Sequence, residues 1–257
     1  MTTAAQPRRG RSKAPAPAGG PIFYPYSDGE PMGESQPHVD AIRGLLDALD
    51  DLFWDDETVS VHGNVHWYWE EGDVTKSRAP DAMVIPGVPM DHGRTSFKSW
   101  EHGGAIPAAI IETASYKTYR ANLGEIREDY ESNGVREYFV FDPSGKYLDV
   151  PLFGFRLVRR RYRALVAESD GSVVSRELNV RLRPEGKFLR LIDLRTGEPI
   201  LTRPERIEFY KARLAEQEAR RVAELGVRDA EIARKDAELK KAHALLRRLG
   251  VDPDAVK

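Results

Sequence analysis

The sequence predicts an α+β fold with an α/β core: a mixed sheet flanked by helices, an antiparallel extension of that sheet, and a long C-terminal helix. Four observations lead to this prediction. An amphipathic helix precedes a series of short apolar strands, a second helix interrupts that series, and further strand-like runs follow it. After Pro204 the composition turns to Ala, Glu, Arg, Lys and Leu, which is typical of a continuous helix.

Length and composition restrict the class of protein. The 257 residues suffice for one sizeable domain with appendages or for two small ones. The chain has no cysteine, which excludes disulfides, thiol nucleophiles and cysteine zinc sites and fits a reducing compartment. Its net charge of −2 means that any contact with nucleic acid depends on local basic patches. No apolar run approaches the roughly 20 residues of a membrane span, and no signal peptide is evident. We therefore expect a cytoplasmic protein with no membrane contact.

The composition also divides the chain into three parts. Residues 1–20 are mostly Ala, Pro, Gly and Ser, with four basic side chains and no acidic one. They are predicted to form a disordered basic tail, which either contacts phosphates or only keeps the protein soluble. Residues 21–202 are predicted to form the folded domain, and residues 203–250 to form the C-terminal helix, with a possible coiled coil.

A helix and a strand are expected at the start of the folded domain. Apolar residues from Ile42 to Phe53 recur every three or four positions, which is the pattern of an amphipathic helix. Residues 59–70 alternate in polarity and are rich in Val, Trp and Tyr, which predicts one strand. His62 and His66 share one side of that strand, where they either pack as polar side chains or bind a metal ion.

Two acidic residues lie at the ends or edges of the next apolar strands. A short strand at residues 79–85 carries Asp81, and a buried-type strand at residues 108–111 delivers Glu112. Residues 86–107 between them form a long polar loop, typical of a lid or a substrate-contacting segment. Taken singly, an Asp after Pro is typical of a turn, and a Glu at a strand end marks where the strand reaches water. Two acids on neighbouring strands are also how proteins hold a divalent cation for phosphodiester chemistry.

A second helix and several strands follow Glu112. The helix is predicted from about Ala121 to Asn133, where Gly134 ends it. A strand is predicted next at residues 137–141. Later strand-like runs, which we expect to extend the same sheet in antiparallel fashion, are residues 150–158, 162–167, 173–178 and 188–194.

A run of arginines accompanies these later strands. Its members on strand-like sequence are Arg156, Arg159, Arg160, Arg161 and Arg163. Such a run either contacts phosphates or protects an exposed sheet edge by its charge.

The C-terminal helix carries a sparse apolar seam. Its apolar residues at heptad spacing fall into two series, Ile207 and Leu214, and then Leu225, Ile232, Leu239 and Leu246. The register slips by four residues between the two series, which is a stutter. The companion positions include Arg228 and Lys235, so only a weak coiled coil is predicted. The helix could pair with its own copy, bind a partner, lie on the domain or remain solvated.

Seven segments, in this order, carry a family resemblance: Tyr24–Met32, Trp67–Asp73, Arg78–Asp81, Glu112–Ser115, Gly134–Tyr138, Phe141–Pro143 and Leu249–Pro253. Together they resemble the Uma2 family of endonucleases, within the PD-(D/E)XK superfamily of restriction endonuclease-like folds. The resemblance covers roughly residues 22–253. It implies an endonuclease that hydrolyses DNA phosphodiester bonds with Mg²⁺ or Mn²⁺. It also implies that Asp81 and Glu112 are the catalytic carboxylates and the metal ligands.

The sequence departs from the family pattern at its expected lysine. The commonest nuclease pattern has Lys two residues after the Glu, where this chain has Ala114. Uma2-like proteins carry an acid and a Lys on the next helix, where this chain has Asn122 and Ile126. Isoleucine has no charge and no donor, so we expect Ile126 to join Leu123 and Tyr130 in the core.

Two hypotheses remain open from the sequence. In the first, a nearby cation replaces the lysine; Lys117 is the preferred catalytic candidate, and Arg120 and Lys76 are the others. Ser115, Asn122 and Tyr130 would then support the ligating carboxylates from behind, and Arg159, Arg160 and Arg161 would contact phosphates. In the second hypothesis the fold is catalytically inactive and binds nucleic acid or a protein partner.

Overall fold

The computed structural model describes residues 22–25 and 35–250. In chain order its elements are α1 (Gln36–Leu52), β1 (Val59–His62), β2 (His66–Tyr68), β3 (Ser77–Arg78), β4 (Ala82–Pro86), β5 (Ser96–Lys98), β6 (Ala109–Thr113), α2 (Tyr119–Leu123), α3 (Glu125–Ser132), β7 (Glu137–Phe141), β8 (Leu152–Val158), β9 (Arg161–Ala164), β10 (Val173–Ser175), β11 (Val180–Glu185), β12 (Phe188–Asp193) and α4 (Arg203–Arg248). The predicted tail at residues 1–20 and parts of the first and last resemblance segments lie outside the described residues.

A six-stranded mixed sheet forms the centre, in the order β1-β4-β6-β7-β8-β9. Strands β6 and β7 are parallel, and every other neighbouring pair in this sheet is antiparallel. Helices α2 and α3 connect the parallel pair, as a crossover between parallel strands requires. The predicted mixed sheet with flanking helices is therefore confirmed.

The two faces of this sheet are covered differently. Helix α1 and a second sheet, β10-β11-β12, pack on one face through residues such as Leu45, Ala82 and Leu191. Helix α3 and a third sheet, β3-β2-β5, pack on the other face around Trp67 and Tyr130. Because strand side chains alternate between faces, odd-numbered positions of β4 and even-numbered positions of β6 point toward α3.

Three of the predicted elements are wrong in extent. Residues 59–70 form two strands in different sheets, because the chain turns at Asn64, whose φ is 54°. The predicted loop at residues 86–107 contains β5 and a 3₁₀ turn at Ser99–His102. The helix predicted at residues 121–133 is two helices, separated at Gly124.

The predicted antiparallel extension is correct for only two strands. Strands β8 and β9 extend the central sheet, whereas β10, β11 and β12 form a separate sheet. Strand β11 was not predicted. The turn at Asn179, with φ 54°, reverses the chain between β10 and β11, so the two strands pair with each other.

The described chain divides into two compact units between Thr202 and Arg203. The second unit contains α4, a helix of 46 residues in which no side chain is buried. A long C-terminal helix is therefore confirmed, while the coiled coil stays a prediction. Within the described ranges, no helix is long and apolar enough to cross a membrane; the cytoplasmic location stays a prediction.

Candidate active site

The fold brings Asp81 and Glu112 together. Asp81 directly precedes β4, and Glu112 is the fourth residue of β6. The register pairs Ala82 with Ile111, so the two acids lie at adjacent cross-strand positions. The backbone N–H of Asp81 donates to Glu112 Oε2 at 3.4 Å, and that of Thr113 donates to Asp81 Oδ2 at 2.7 Å. Both acids are buried, and both lie on the α3 side of the sheet.

The acid pair is electrostatically strained. Burial raises the pKa of Glu112 well above its ordinary value, and the neighbouring Asp81 carboxylate raises it further. Hydrogen bonds from the Tyr130 hydroxyl and the Asp81 backbone, and the positive charge of Arg78, oppose this rise. Two ionised carboxylates at this position therefore repel each other in a desolvated environment, and a cation bound between them would relieve that repulsion.

The donor set suits one kind of metal ion. Among residues 22–25 and 35–250, no group of three or more His, Asp or Glu side chains could hold a metal ion. Asp81 and Glu112 offer carboxylate oxygens only. Mg²⁺ is commonly bound by one or two carboxylates, with waters and substrate phosphates completing its coordination. The pair therefore fits Mg²⁺ or Mn²⁺ and does not fit an ion that needs a full set of protein ligands.

Helix α3 supports the pair from behind. The Tyr130 hydroxyl donates to Glu112 Oε1 at 2.7 Å, and this residue is fully buried. Burial and the nearby Glu112 raise the pKa of Tyr130 well above its ordinary value, so the hydroxyl stays protonated and keeps donating. The structure thus places Tyr130 directly on a predicted ligand.

Asn122 and Ile126 lie on the same side of the sheet without touching the carboxylates through any described hydrogen bond. Asn122 is buried, its backbone carbonyl accepts from the Tyr138 hydroxyl at 3.0 Å, and its Nδ2 has no partner in the described part of the chain. Ile126 packs against the apolar cluster that contains Tyr130, together with Leu123. Ile126 is therefore half-buried at the edge of the apolar cluster, in contact with the core as expected but not fully enclosed by it.

The structure does not place Lys117 or Ser115 on either carboxylate. Lys117 is exposed and lines a shallow surface depression with Tyr116, Tyr119 and Arg120. The Ser115 hydroxyl lies 2.9 Å from the hydroxyl of Thr118, which lies directly before α2.

Arg78 is the functional candidate that the sequence reasoning missed. Its Nε and Nη2 donate to Asp129 Oδ2 at 2.8 and 2.6 Å, and its Nη2 lies 3.9 Å from Glu125 Oε1. Its positive charge also acts on Glu112, where it partly opposes the rise in pKa that burial and Asp81 cause. The sequence does carry a signal, because Arg78 opens the segment that carries Asp81, but the motif alone does not show which groups its charge reaches.

The two histidines do not form a pair on one strand. His62 lies in β1 of the central sheet and His66 in β2 of another sheet, where His66 stacks on Tyr68. Burial and the charge of Arg94 lower the pKa of His62 to about 4, so its imidazole is neutral. Polar packing, the first of the two alternatives, describes their arrangement.

The arginine run occupies the last hairpin of the central sheet. Arg159 and Arg160 form the turn between β8 and β9. Arg161 donates to Glu131 Oε1 at 2.9 Å, and Arg156 donates to the buried Glu137. The run is therefore divided between a turn, an edge strand and a buried ion pair.

A mixed sheet that presents an aspartate and a glutamate side by side on neighbouring strands defines the restriction endonuclease-like class. The sequence matches the Uma2 family model, described as "Putative restriction endonuclease", over residues 17–184. The protein belongs to the Uma2 family, which confirms the resemblance; α4 lies outside the matched range. Membership of this family supports a nuclease, and nucleases of this kind generally use a divalent metal ion.

One solved structure is reported for comparison. It is a "putative nuclease belonging to DUF820" from Anabaena variabilis ATCC 29413, with 15% sequence identity and a TM-score of 0.41. The alignment covers 60% of this chain and 81% of that one. A search of curated proteins gave no match.

Proposed function

We propose that this protein is an endonuclease that hydrolyses DNA phosphodiester bonds with Mg²⁺ or Mn²⁺. The observation that carries the proposal is the juxtaposition of Asp81 and Glu112, two buried acids on neighbouring strands, where burial and the charge of Asp81 raise the pKa of Glu112. Membership of a family described as restriction endonucleases supports DNA as the substrate. Further copies or a protein partner could bind through α4.

Asp81 and Glu112 would hold the metal ion, and their neighbours would fix their orientation. When bound, the ion would polarise a phosphoryl oxygen and lower the pKa of an attacking water. The Tyr130 hydroxyl holds one oxygen of Glu112, and the Thr113 backbone N–H holds one oxygen of Asp81. These contacts fix the orientation of both carboxylates, as the partners of metal ligands commonly do.

The positive charge that stabilises the transition state has two candidates. The sequence assigns it to Lys117, which lies five residues after Glu112. The contacts favour Arg78, because its charge already acts on Glu112 and Asp129 fixes its guanidinium in place. A guanidinium suits phosphate oxygens because it donates two parallel hydrogen bonds.

The second candidate function is an inactive nuclease fold that binds nucleic acid or a protein. The packing of Ile126 against the core favours it, because the position that carries a lysine in similar proteins offers no charge here. Removal of a donor that stabilises transition-state charge typically lowers the rate by about 10²–10³-fold.

Nicking of supercoiled plasmid distinguishes the two functions. Wild type should nick the plasmid with Mg²⁺ or Mn²⁺ and not with EDTA, and Asp81→Ala and Glu112→Ala should each abolish nicking. Glu128→Ala is the matched control, because Glu128 is an exposed acid on α3 with no described side-chain contact. Absence of nicking by folded wild type at high enzyme excess would overturn the endonuclease assignment. Nicking that appears only in Ile126→Lys would support the inactive fold.

A further inference from the structure

The turn between β8 and β9 has an unusual backbone. Val158 pairs with Arg161, so Arg159 and Arg160 alone form a two-residue hairpin loop. Their φ angles are 53° and 64°. Positive φ at both central residues is the requirement of a type I′ turn, whose twist matches that of the flanking strands.

Arginine is a poor residue for this conformation. The left-handed region brings Cβ close to the backbone, and type I′ turns accordingly favour Asn-Gly, Asp-Gly and Gly-Gly. In the described part of the chain, the other non-glycine residues at positive φ are Asn64 and Asn179, and Asn tolerates this region well. The two arginines therefore occupy positions where a less strained pair of residues is readily available.

Local packing does not account for these two arginines. Both side chains are exposed, and no hydrogen bond, ion pair or ring contact joins either of them to another described residue. Protection of the sheet edge does not require them either, because β9 is the edge strand and already carries the exposed Arg161 and Arg163. Backbone strain that brings no structural benefit indicates a functional role.

Helix α3 contacts both the acid pair, through Tyr130, and the β8–β9 hairpin. Glu131, next to Tyr130 on α3, accepts hydrogen bonds from Arg161 and from the backbone N–H of Tyr162. Glu112 is level with Val140 of β7 and, through it, with Phe153 of β8, so the tip lies two strands away and about six residues farther along β8, toward the end of the sheet at which β6 begins. An offset of about 20 Å along the strands and about 10 Å across them gives about 22 Å. That distance equals about six to seven base pairs of duplex DNA at 3.4 Å each.

We propose that the β8–β9 hairpin tip, through Arg159 and Arg160, binds the phosphate backbone of duplex DNA about six to seven base pairs from the site of cleavage. This inference rests on the proposed function for its substrate. A projecting tip with two free guanidinium groups contacts phosphates without regard to base sequence and positions the duplex.

The test replaces the tip with the turn that the backbone prefers. Arg159→Asn/Arg160→Gly should raise the melting temperature by about 2–8 °C, because it relieves two strained residues. The same variant should weaken binding of a short labelled DNA duplex in EDTA. It should also reduce the magnitude of the slope of the logarithm of the association constant against the logarithm of the salt concentration by about 2. If those two contacts are purely electrostatic, affinity at 0.15 M salt should fall by about 30-fold.

Two controls separate charge from shape. Arg159→Lys/Arg160→Lys keeps the charge and should retain most of the affinity and the salt slope. Lys240→Gln/Lys241→Gln removes the same amount of charge from exposed positions of α4. It should leave the affinity for the duplex and the salt slope unchanged.

The outcomes separate the two proposals. Duplex binding by wild type that the Asn-Gly variant retains in full, with a raised melting temperature, would overturn the hairpin proposal and leave the endonuclease intact. Duplex binding and nicking both absent in wild type would overturn the endonuclease and the hairpin together. Equal loss in the α4 control would show that net charge, and not the tip, governs binding, and would also overturn the hairpin proposal.

Discussion

Glu112 and Glu137 are two buried glutamates on the parallel strands β6 and β7, and their surroundings are opposite in kind. Glu137 accepts hydrogen bonds from Arg156, from the Ser175 hydroxyl and from the backbone N–H groups of Arg176 and Glu177. It faces the α1 side, because it pairs with Ala109 of the core on that side. Glu112 faces the α3 side and another carboxylate.

The difference separates a structural acid, Glu137, from Glu112, the acid that we propose binds a metal ion. A buried carboxylate that pairs with a cation and accepts several hydrogen bonds holds the surrounding segments together. Glu137 joins β10 to the central sheet in this way. Glu112 lies beside a second carboxylate, and the hydrogen bond from Tyr130 and the charge of Arg78 only partly offset the effects of burial and repulsion, so its pKa stays raised. Such unresolved electrostatics are typical of positions that bind a ligand.

Glu112→Gln should produce the largest functional effect. Loss of one of two metal ligands should lower plasmid nicking by about 10³-fold or more.

In EDTA the same substitution should raise the free energy of unfolding by about 0.5–2 kcal/mol, because it removes the repulsion between the two carboxylates. The pKa of Glu112 is raised in the folded state, so wild-type stability should fall as pH rises above the ordinary glutamate range, and the variant should lose that decline. Urea unfolding across pH checks this; a variant less stable than wild type at neutral pH would contradict it.

Glu137→Ala should produce the largest effect on stability. It leaves the partly buried Arg156 and the Ser175 hydroxyl without their partner, so unfolding free energy should fall by about 3–5 kcal/mol. Glu177→Ala removes an acid from the more exposed pair with Arg136 and should cost less than about 1 kcal/mol. Urea unfolding measures both losses of unfolding free energy. Equal losses in the two variants would show that Glu137 contributes no more to stability than a more exposed acid, and would contradict its structural role.

Arg78→Gln tests which cation completes the acid site. It should lower the rate of nicking by about 10²–10³-fold, while Lys117→Gln should lower it only slightly, because Lys117 is exposed and has no described contact with either carboxylate. Arg78→Lys should recover only part of the rate, because it retains the charge and loses the paired donors. Single-turnover rates at saturating enzyme provide the measurement. The reverse order would assign the role to Lys117, as the sequence proposes.

Tyr130→Phe should produce the smallest effect of the four. The ring still packs in the core, but Glu112 Oε1 loses the hydroxyl that orients it. Nicking should fall by about 10-fold, as for other residues that orient a metal ligand, and Mg²⁺ affinity by calorimetry should fall in parallel. Tyr162→Phe is a control, because its hydroxyl donates to a backbone carbonyl away from the acids. A decline in nicking without any change in Mg²⁺ affinity would argue against an orienting role.

Local sequence was most informative where one pattern was long or strongly apolar. The amphipathic repeat between Ile42 and Phe53 predicted α1, and the apolar run at residues 137–141 predicted β7 with the observed bounds. The composition after Pro204 predicted α4. In each case the pattern depends on residues close together in the chain, so no distant contact was needed.

Local sequence was least informative at breaks and pairings. The turn at Asn64 divides one alternating run into strands of two sheets, and nothing in the alternation marks this. The role of Glu137 depends on Ser175, which is 38 residues away. Arg78 was overlooked because its link to Asp129 spans 51 residues and a helix that the sequence did not divide correctly.

The sequence by itself determined the class of fold and the family, and it singled out Asp81 and Glu112 as candidate metal ligands, because ordered motifs and periodic apolar runs are local properties of the chain. Tertiary structure alone decided that these two acids lie side by side, that the charge of Arg78 acts on Glu112 while Lys117 has no described contact with either acid, and that Glu137 is a structural acid. Strand register and face set those relations. They bring together residues about 30 to 50 positions apart, whose electrostatic effects on one another arise only once water is excluded from between them.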